Sequence, residues 1–428
     1  MFDVTELAAV DLHADEAGLV ERIGLLERLK SAAAAGQARA AALLEAKRQA
    51  AEAAAGVPRS RRGQGLASEV ALARREAPSC GGRHVGFAKA LVFEMPYTLA
   101  ALECGALSEW RATVIVRESA CLSVEHRRQL DEELCADLAG LEGVGDKRIE
   151  AEAKRIAYRL DPQAVVDRMA RAEKDRTVTV RPAPDAMTYV TALLPVSQGV
   201  GVYAALKRSA DTTFDERSRG QVMADTLVER VTGRPAEQPE PVAVNLIISD
   251  QSLLGDDEHP AVVDGYGPIP AAVARKLVLA AIADKKSVAS LRRLYRHPRS
   301  GALVAMESRA RRFPKALALF IGLRDQRCRT PYCDAPIRHT DHAVPHHRGG
   351  PTSRVNGSGS CERCNYVKEA PGWQVSTGEV DGVHQAEFIT PTGATYHSTA
   401  PPPPGPPPIE VSEVEMHISI ELANLHAA

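Results

Sequence analysis

In the first third of the chain, apolar residues recur every three or four positions. Leu19, Val20, Ile23, Leu26 and Leu29 share one face of a helix, which the alanine-rich run SAAAAGQARAAALLEAKRQAAEAAAG extends over about residues 15 to 55. VPRSRRGQG (57 to 65) breaks it. From about 66 to 170 the period stays helical, with MPYTLAALECGALSEWRATVIVRESACL predicting two helices joined at Gly105. SVEHRRQLDEELCADL predicts a third, opened by a capping box of Ser123 with Glu125. One side of these helices is too apolar for them to stand alone, so a bundle is expected.

The period then changes to two. RTVTV (176 to 180) and AMTYVTALL (186 to 194), joined by RPAPD, predict a hairpin. A helical stretch follows over about 197 to 232 and ends at Gly233; GRPAEQPEP is a linker, and VAVNLIIS (242 to 249) predicts a buried strand. GPIPAAVARKLVLAAI restarts helix at a proline. Near the C-terminus GWQVSTGEVDGVHQAEFITPTG predicts a further hairpin and PPPPGPPP (401 to 408) a polyproline spacer. The tail EVEMHISIEL alternates apolar and polar.

Composition adds limits. A chain of 428 residues exceeds one compact core, and its 44% hydrophobic and 25% charged residues are those of an ordinary soluble protein. No apolar run is long enough for a transmembrane helix, and the N-terminal stretch lacks the features of a secretory signal, so a cytoplasmic location without membrane contact is expected. The net charge of -2 hides an asymmetry: from Lys285 to Lys368 there are 18 Lys or Arg against 5 Asp or Glu. A basic module on an acidic carrier suits a polyanionic partner.

The eight cysteines fall into two groups. Cys80, Cys104, Cys121 and Cys135 are scattered, as small buried hydrophobes are. Cys328 and Cys333, separated by four residues, and Cys361 and Cys364, separated by two, form two pairs whose thiolates can reach one tetrahedral ion. Four sulfur ligands leave no open position, so the expected zinc is structural. The 27 residues between the pairs exceed a plain zinc ribbon, so something is inserted there.

SEVALA, MPYTLAALECGALSEWRA, LDPQAVVDR, PDAMTYVTALLPV, QVMADTLVERVTGRP and VDGYGPIPAAVARKL resemble the helical domain of unknown function that actinobacterial proteins carry in front of an HNH module. The insert matches the second part of that resemblance. Asp341-His342, Pro345, Gly349-Gly350, Asn356, Asn365 and Lys368 follow the order of the HNH, or ββα-metal, endonuclease signature. The resemblance implies a metal-dependent hydrolysis of DNA phosphodiesters, with His342 as the general base on water, Asp341 and Asn365 as ligands of a catalytic Mg²⁺ or Mn²⁺, and Asn356 as a loop-fixing residue that positions the base. The chemistry agrees: a neutral imidazole takes a proton at physiological pH, and a hard cation needs few protein oxygens. Asn365 stands where many members carry histidine, which shifts the expected ion toward Mg²⁺ or Mn²⁺.

Around the motif, Arg324, Arg327, Arg329, Arg338, Arg348, Arg354 and Arg363, with Lys368, are suited to phosphate contact, and LRRLYRHPRSG and ESRARRF add a second cluster. His346 and His347 read as solvated loop residues, while His339 shares the strand face of Asp341. Four segments result: the N-terminal helix and linker (1–65), a helical domain of unknown function with inserted strands (66–300), the nuclease-like module (301–376), and a hairpin, spacer and tail (377–428). The expected class is α+β multidomain, a mainly helical N-terminal part followed by a zinc-stabilised, treble-clef-like ββα-metal module. Residues 1 to 300 lack Walker, nucleophile-elbow, dinucleotide and HExxH motifs, and are read as a docking platform for a protein partner or for self-association. The alternative to an endonuclease is an inactive zinc-stabilised DNA-binding or regulatory protein.

Overall fold

A computed structural model describes residues 7–402 except 186, 238–245, 256, 264–265 and 284–311. The upstream basic cluster at 291–301, most of the second one, the first half of the strand expected at 242–249, nearly all of the polyproline run and the alternating tail lie outside the described residues. The chain divides into two compact units, Met1–Lys174 and Asp175–Ala428.

The first unit is a helical bundle. Helix α1 (Glu16–Ala54) is capped by Asp15, whose carboxylate accepts from the Gly18 N–H at 2.8 Å. Of the stripe expected to bury its N-terminal half, Leu19, Val20 and Ile23 are exposed and Leu26 and Leu29 only half-buried; Ser31, Ala34, Ala35, Ala38 and Ala42 form the buried face instead. Small side chains allow the long helix to lie close to its neighbours, which is where the alanines are needed. Helices α2 (Leu66–Ala73), α3 (Gly81–Glu94), α4 (Pro96–Glu103), α5 (Glu109–Ser119), α6 (Val124–Cys135), α7 (Asp146–Leu160) and α8 (Pro162–Ala172) follow. Phe87, Leu91, Met95, Leu99, Leu102, Leu107, Ile115, Leu130, Ile149 and Ile156 fill the core of the bundle.

The joint expected at Gly105 is present, since α4 ends at Glu103 and Ser108 caps α5. Ser123 caps α6 through the His126 N–H, but no capping box forms there: Glu125 is two residues on, and the reciprocal bond needs the third. Of the four scattered cysteines only Cys135 is buried, and Cys104 is exposed. Among the described residues no single helix is long and apolar enough to cross a membrane; the bent pair Pro78–Glu94 and Pro96–Glu103 passes the test jointly, yet it supplies much of the bundle core.

In the second unit, β1 (Thr177–Ala183) and β2 (Met187–Leu193) form the expected antiparallel hairpin, with Val180 opposite Val190. The stretch at 197–232 is two helices, α9 (Val196–Thr212) and α10 (Arg219–Thr232), because Ser218 and Gln221 make a full capping box that starts a new helix. Gly233, at φ 73°, ends it. A small antiparallel sheet, β3 (Leu246–Ile247), β4 (Ala261–Val263) and β5 (Gly267–Ile269), has the short helix α11 (Asp250–Leu254) between its first two strands and leads into α12 (Ala271–Ala283). The described part of β3 is half-buried rather than buried.

Helix α13 (Lys315–Asp325) packs Leu317, Phe320 and Ile321 against the antiparallel pair β6 (His339–His342) and β7 (Gly357–Ser360), and α14 (Glu362–Val367) follows directly. The last sheet is β8 (Gln374–Val380), β9 (Val383–Ile389) and β10 (Thr395–Thr399) in the order β10-β9-β8. Asp381 and Gly382, both at positive φ, make the two-residue turn that the sequence DG predicts. The third strand was not expected, and a boundary at 376/377 would cut through β8. This sheet is bound to the preceding module: Glu379 pairs with Arg354, the Ser398 carbonyl accepts from Arg329, and His384 Nε2 lies 2.8 Å from the Val355 carbonyl.

Candidate functional site

The four paired cysteines converge. One ligand atom from each of Cys328, Cys333, Cys361 and Cys364 lies within 4.8 Å of all the others. Cys333 Sγ is 3.8 Å from Cys361 Sγ and 3.7 Å from Cys364 Sγ, the edge length of a tetrahedron of sulfurs about 2.3 Å from a central zinc. Local structure sets this up. The Cys333 N–H bonds the Thr330 carbonyl in a turn that places Tyr332 at φ 61°, while Cys361 caps α14 and so presents Cys364 on its first turn. Without a cation the buried thiols restrain one another. Hydrogen bonds from Cys333 and Cys364 hold Cys328 down at about 2, whereas Cys333 is pushed up to about 12 by its bond to Cys328 and by burial. Cys364 is raised for the same reasons. A divalent ion would let all four ionise, so the buried cluster can hold a structural metal such as zinc.

Asp341 and His342 end β6, opposite Ser358 and Gly357. The His342 ring is buried: Nε2 lies 2.8 Å from Thr352 Oγ1, Nδ1 lies 3.4 Å from Asp341 Oδ1, and the Phe313 ring centroid is 4.7 Å away. Burial lowers its pKa below the ordinary imidazole value, with Asp341 opposing. The ring is therefore neutral at physiological pH. Asp341 is half-exposed, and its carboxylate accepts from the His342 N–H at 2.8 Å and from Lys368 Nζ at 2.9 Å. Burial raises its pKa, but the Lys368 ammonium outweighs this and holds the group below the usual carboxylate range.

The loop between the strands is tied by Asn356. Its Oδ1 accepts from the Val344 N–H, and its Nδ2 donates to the carbonyls of Val344 and Pro351. Gly349, at φ 88°, turns the chain, and Gly350 passes so close beneath that a Cβ there would stand 1.8 Å from the Val344 oxygen. Gly357 closes a turn through Asn356, its N–H bonding the Ser353 carbonyl at 2.9 Å, and is the first residue of β7, where a Cβ would collide with Ile321 and Phe313.

Asn365 lies on α14, and its Oδ1 is a buried acceptor without a hydrogen-bond partner among the described residues. Lys368 follows three residues later on the same face, and its Nζ also donates to the His342 carbonyl. With 7% of its side chain exposed, Lys368 is turned inward, toward Asp341. His346 is exposed with its ring 5.6 Å from that of His342; His347 is exposed and His339 half-buried.

The arginines separate into two classes. Arg338, Arg348 and Arg363 are exposed, and none has an ion-pair partner among the described residues. Arg324 and Arg329 are buried around Asp325: Arg324 donates to both of its carboxylate oxygens, Arg329 Nε lies 3.7 Å away, and the Gly359 N–H donates at 2.7 Å. They hold the module together instead of facing a phosphate. Arg327 donates to the carbonyls of Asp334 and Tyr266, and half-buried Arg354 is engaged by Glu379. Sequence reasoning missed Thr352, Asp325 and His384. His384 did leave a trace, since it alternates with Ala386 and Phe388 on the buried face of β9.

Comparison with known proteins assigns the larger part of the chain. Residues 23–325 match a family model described as a domain of unknown function, DUF222. The match stops three residues short of Cys328, so both the cysteine cluster and the Asp341-His342 site lie beyond it. No curated protein and no solved structure matches the chain. With more than two thirds of its length covered by the family model, the chain belongs to the DUF222 family.

Proposed function

We propose that residues 312–370 form an HNH-type, ββα-metal endonuclease site acting on DNA. The observation that carries this reading is one arrangement of three side chains: a buried neutral imidazole at His342, the Asp341 carboxylate beside it, and the buried oxygen of Asn365, without a partner among the described residues, on the helix packed against their strand. A strand pair followed by a helix, with a four-sulfur cluster at its base, is also the layout that the signature implies.

Thr352 fixes the ring. With Nε2–H donating to the Thr352 hydroxyl, the lone pair of Nδ1 is left on the side of Asp341. In that tautomer Nδ1, 3.4 Å from Asp341 Oδ1, is the basic nitrogen that can take a proton from a water. His342 Nδ1 takes the proton of that water as its oxygen attacks phosphorus and the 3'-oxygen departs. Asn356 keeps the 343–351 loop, and with it the end of β6, in place. Asp341 and Asn365 supply hard oxygen donors to a divalent ion such as Mg²⁺ or Mn²⁺, which when bound would offset charge developing on the phosphoryl oxygens. The cysteine cluster, saturated by sulfur, serves only to hold the scaffold.

The test is plasmid nicking in Mg²⁺ or Mn²⁺ by the full chain, wild type beside His342→Ala, with DNA binding measured in parallel. Loss of the base should lower the rate by about 10²- to 10⁴-fold and leave binding intact. DNA bound but never cut by the wild type in either ion would turn the reading toward a zinc-stabilised binding protein.

A further inference from the structure

Lys368, with 7% of its side chain exposed, is an enclosed cation beside Asp341 and His342. Its Nζ donates to Asp341 Oδ2 at 2.9 Å and to the His342 carbonyl, and Glu369 Oε1 lies 3.4 Å away. Three residues back, on α14, Asn365 presents its buried Oδ1 with no donor among the described residues. Carboxylate, carbonyl and amide oxygens around a buried positive charge are the surroundings a hard metal ion requires. Here part of that role is filled by an ammonium.

A carboxylate oxygen that neutralises a lysine cannot serve a divalent ion fully at the same time. An ammonium and a second cation on one carboxylate also repel each other, and in a half-buried setting that repulsion is only weakly screened. Asp341 Oδ1 already accepts from the His342 N–H at 2.8 Å, so a metal and Lys368 compete for Oδ2. Resting on the reading of Asp341 and Asn365 as hard-cation donors, we infer that Lys368 is a built-in competitor for the metal at Asp341. It holds β6 and α14 in register while the metal is absent and yields Asp341 Oδ2 when the metal arrives. Lys368 is thus a positioning residue that sets divalent affinity below what the oxygen donors alone would give. Neutralising it removes the competitor while leaving the donors intact.

The experiment is calorimetric titration of the zinc-loaded full chain with Mn²⁺ alone, comparing wild type, Lys368→Met and Asp341→Asn. An adjacent cation lowers a carboxylate's affinity for a proton by about one to three decades, and the same repulsion acts on Mn²⁺. Lys368→Met should therefore bind Mn²⁺ at least about tenfold more tightly than wild type, and Asp341→Asn should abolish binding. Equal or weaker binding by Lys368→Met, with zinc content and circular dichroism unchanged, overturns the inference and leaves the metal site standing. Absence of Mn²⁺ binding in both wild type and Lys368→Met overturns the metal reading, and the competitor falls with it. A second measurement needs no variant: acetylation of Lys368 in the wild type, followed by mass spectrometry, should accelerate on adding Mn²⁺. A rate that Mn²⁺ leaves unchanged or slows counts against the inference.

Discussion

Both ends of the Asn356 side-chain amide are bound to one residue, Val344: Oδ1 accepts from its N–H at 2.9 Å and Nδ2 donates to its carbonyl at 3.0 Å. A second Nδ2 bond, to the Pro351 carbonyl at 2.9 Å, closes the loop that follows His342. Only an amide of this length supplies one acceptor and two donors here. Asn356→Ala leaves three backbone groups unpaired and should destabilise the module by about 3 kcal/mol, at roughly 1 kcal/mol for each net bond. Asn356→Asp should be worse at neutral pH, because a carboxylate then faces two carbonyl oxygens. Hydrogen exchange of the 343–351 amides measures this, and protection unchanged in Asn356→Ala would refute the clamp.

The sulfur cluster makes a separate prediction. Cys328, Cys333 and Cys364 are buried, and in a module whose apolar core is chiefly Leu317, Phe320 and Ile321 the metal must supply much of the stability. Cys364→Ser removes a ligand and should release one zinc per chain, as counted by plasma mass spectrometry. Structural zinc contributes on the order of 10 kcal/mol, so residues 326–370 should then become sensitive to protease while Met1–Lys174 does not. Stoichiometric zinc retained by Cys364→Ser would contradict a four-sulfur site.

The sequence disclosed the parts of this molecule that local chemistry dictates. Two cysteine pairs, a turn-forming Asp381-Gly382 and a helix-ending Gly233 each carry their own constraint, and the structure places all three as their neighbours in sequence suggest. Facing was less legible. Leu19, Val20 and Ile23 at the start of α1 have the right period but remain exposed, because the helix continues and its alanines make the closer packing. Charge runs misled in the same way. Arg324 and Arg329 look like phosphate ligands in the sequence, yet the carboxylate of Asp325 draws them inward. Contacts such as Thr352 to His342 and His384 to Val355 join residues 10 and 29 positions apart through side chains that leave no local signature.

The three exposed arginines separate electrostatic footing from chemistry. If Arg338, Arg348 and Arg363 contact the DNA backbone, replacing all three by glutamine should weaken binding similarly on unrelated sequences. Each lost phosphate contact lowers the slope of log affinity against log salt by about 0.9, so the triple variant should lose about 2.7. Fluorescence anisotropy over a salt series reads this directly. An unchanged slope would assign the exposed cations to solvation and move the DNA surface elsewhere.

His384 links acid stability to the C-terminal sheet. It is almost fully buried on β9, with Nε2 at the Val355 carbonyl and Nδ1 lacking a partner among the described residues. Burial, reinforced by the nearby Arg324 guanidinium, lowers its pKa from 6.5 to about 4. Above pH 6.5 the ring is neutral whether the chain is folded or not, and its contribution is complete. As pH falls toward 4 the unfolded chain gains a proton that the folded chain refuses, so stability drops by on the order of 3 kcal/mol across that window. Glutamine can still donate to the Val355 carbonyl but does not titrate. His384→Gln should thus cost about 1 kcal/mol at pH 7 and show a shallower decline between pH 6.5 and 4 than the wild type, measured by denaturant unfolding at a series of pH values. Carboxylates and cysteines contribute equally to both curves, so the difference isolates His384; parallel curves would show that this histidine accepts its proton in the folded state.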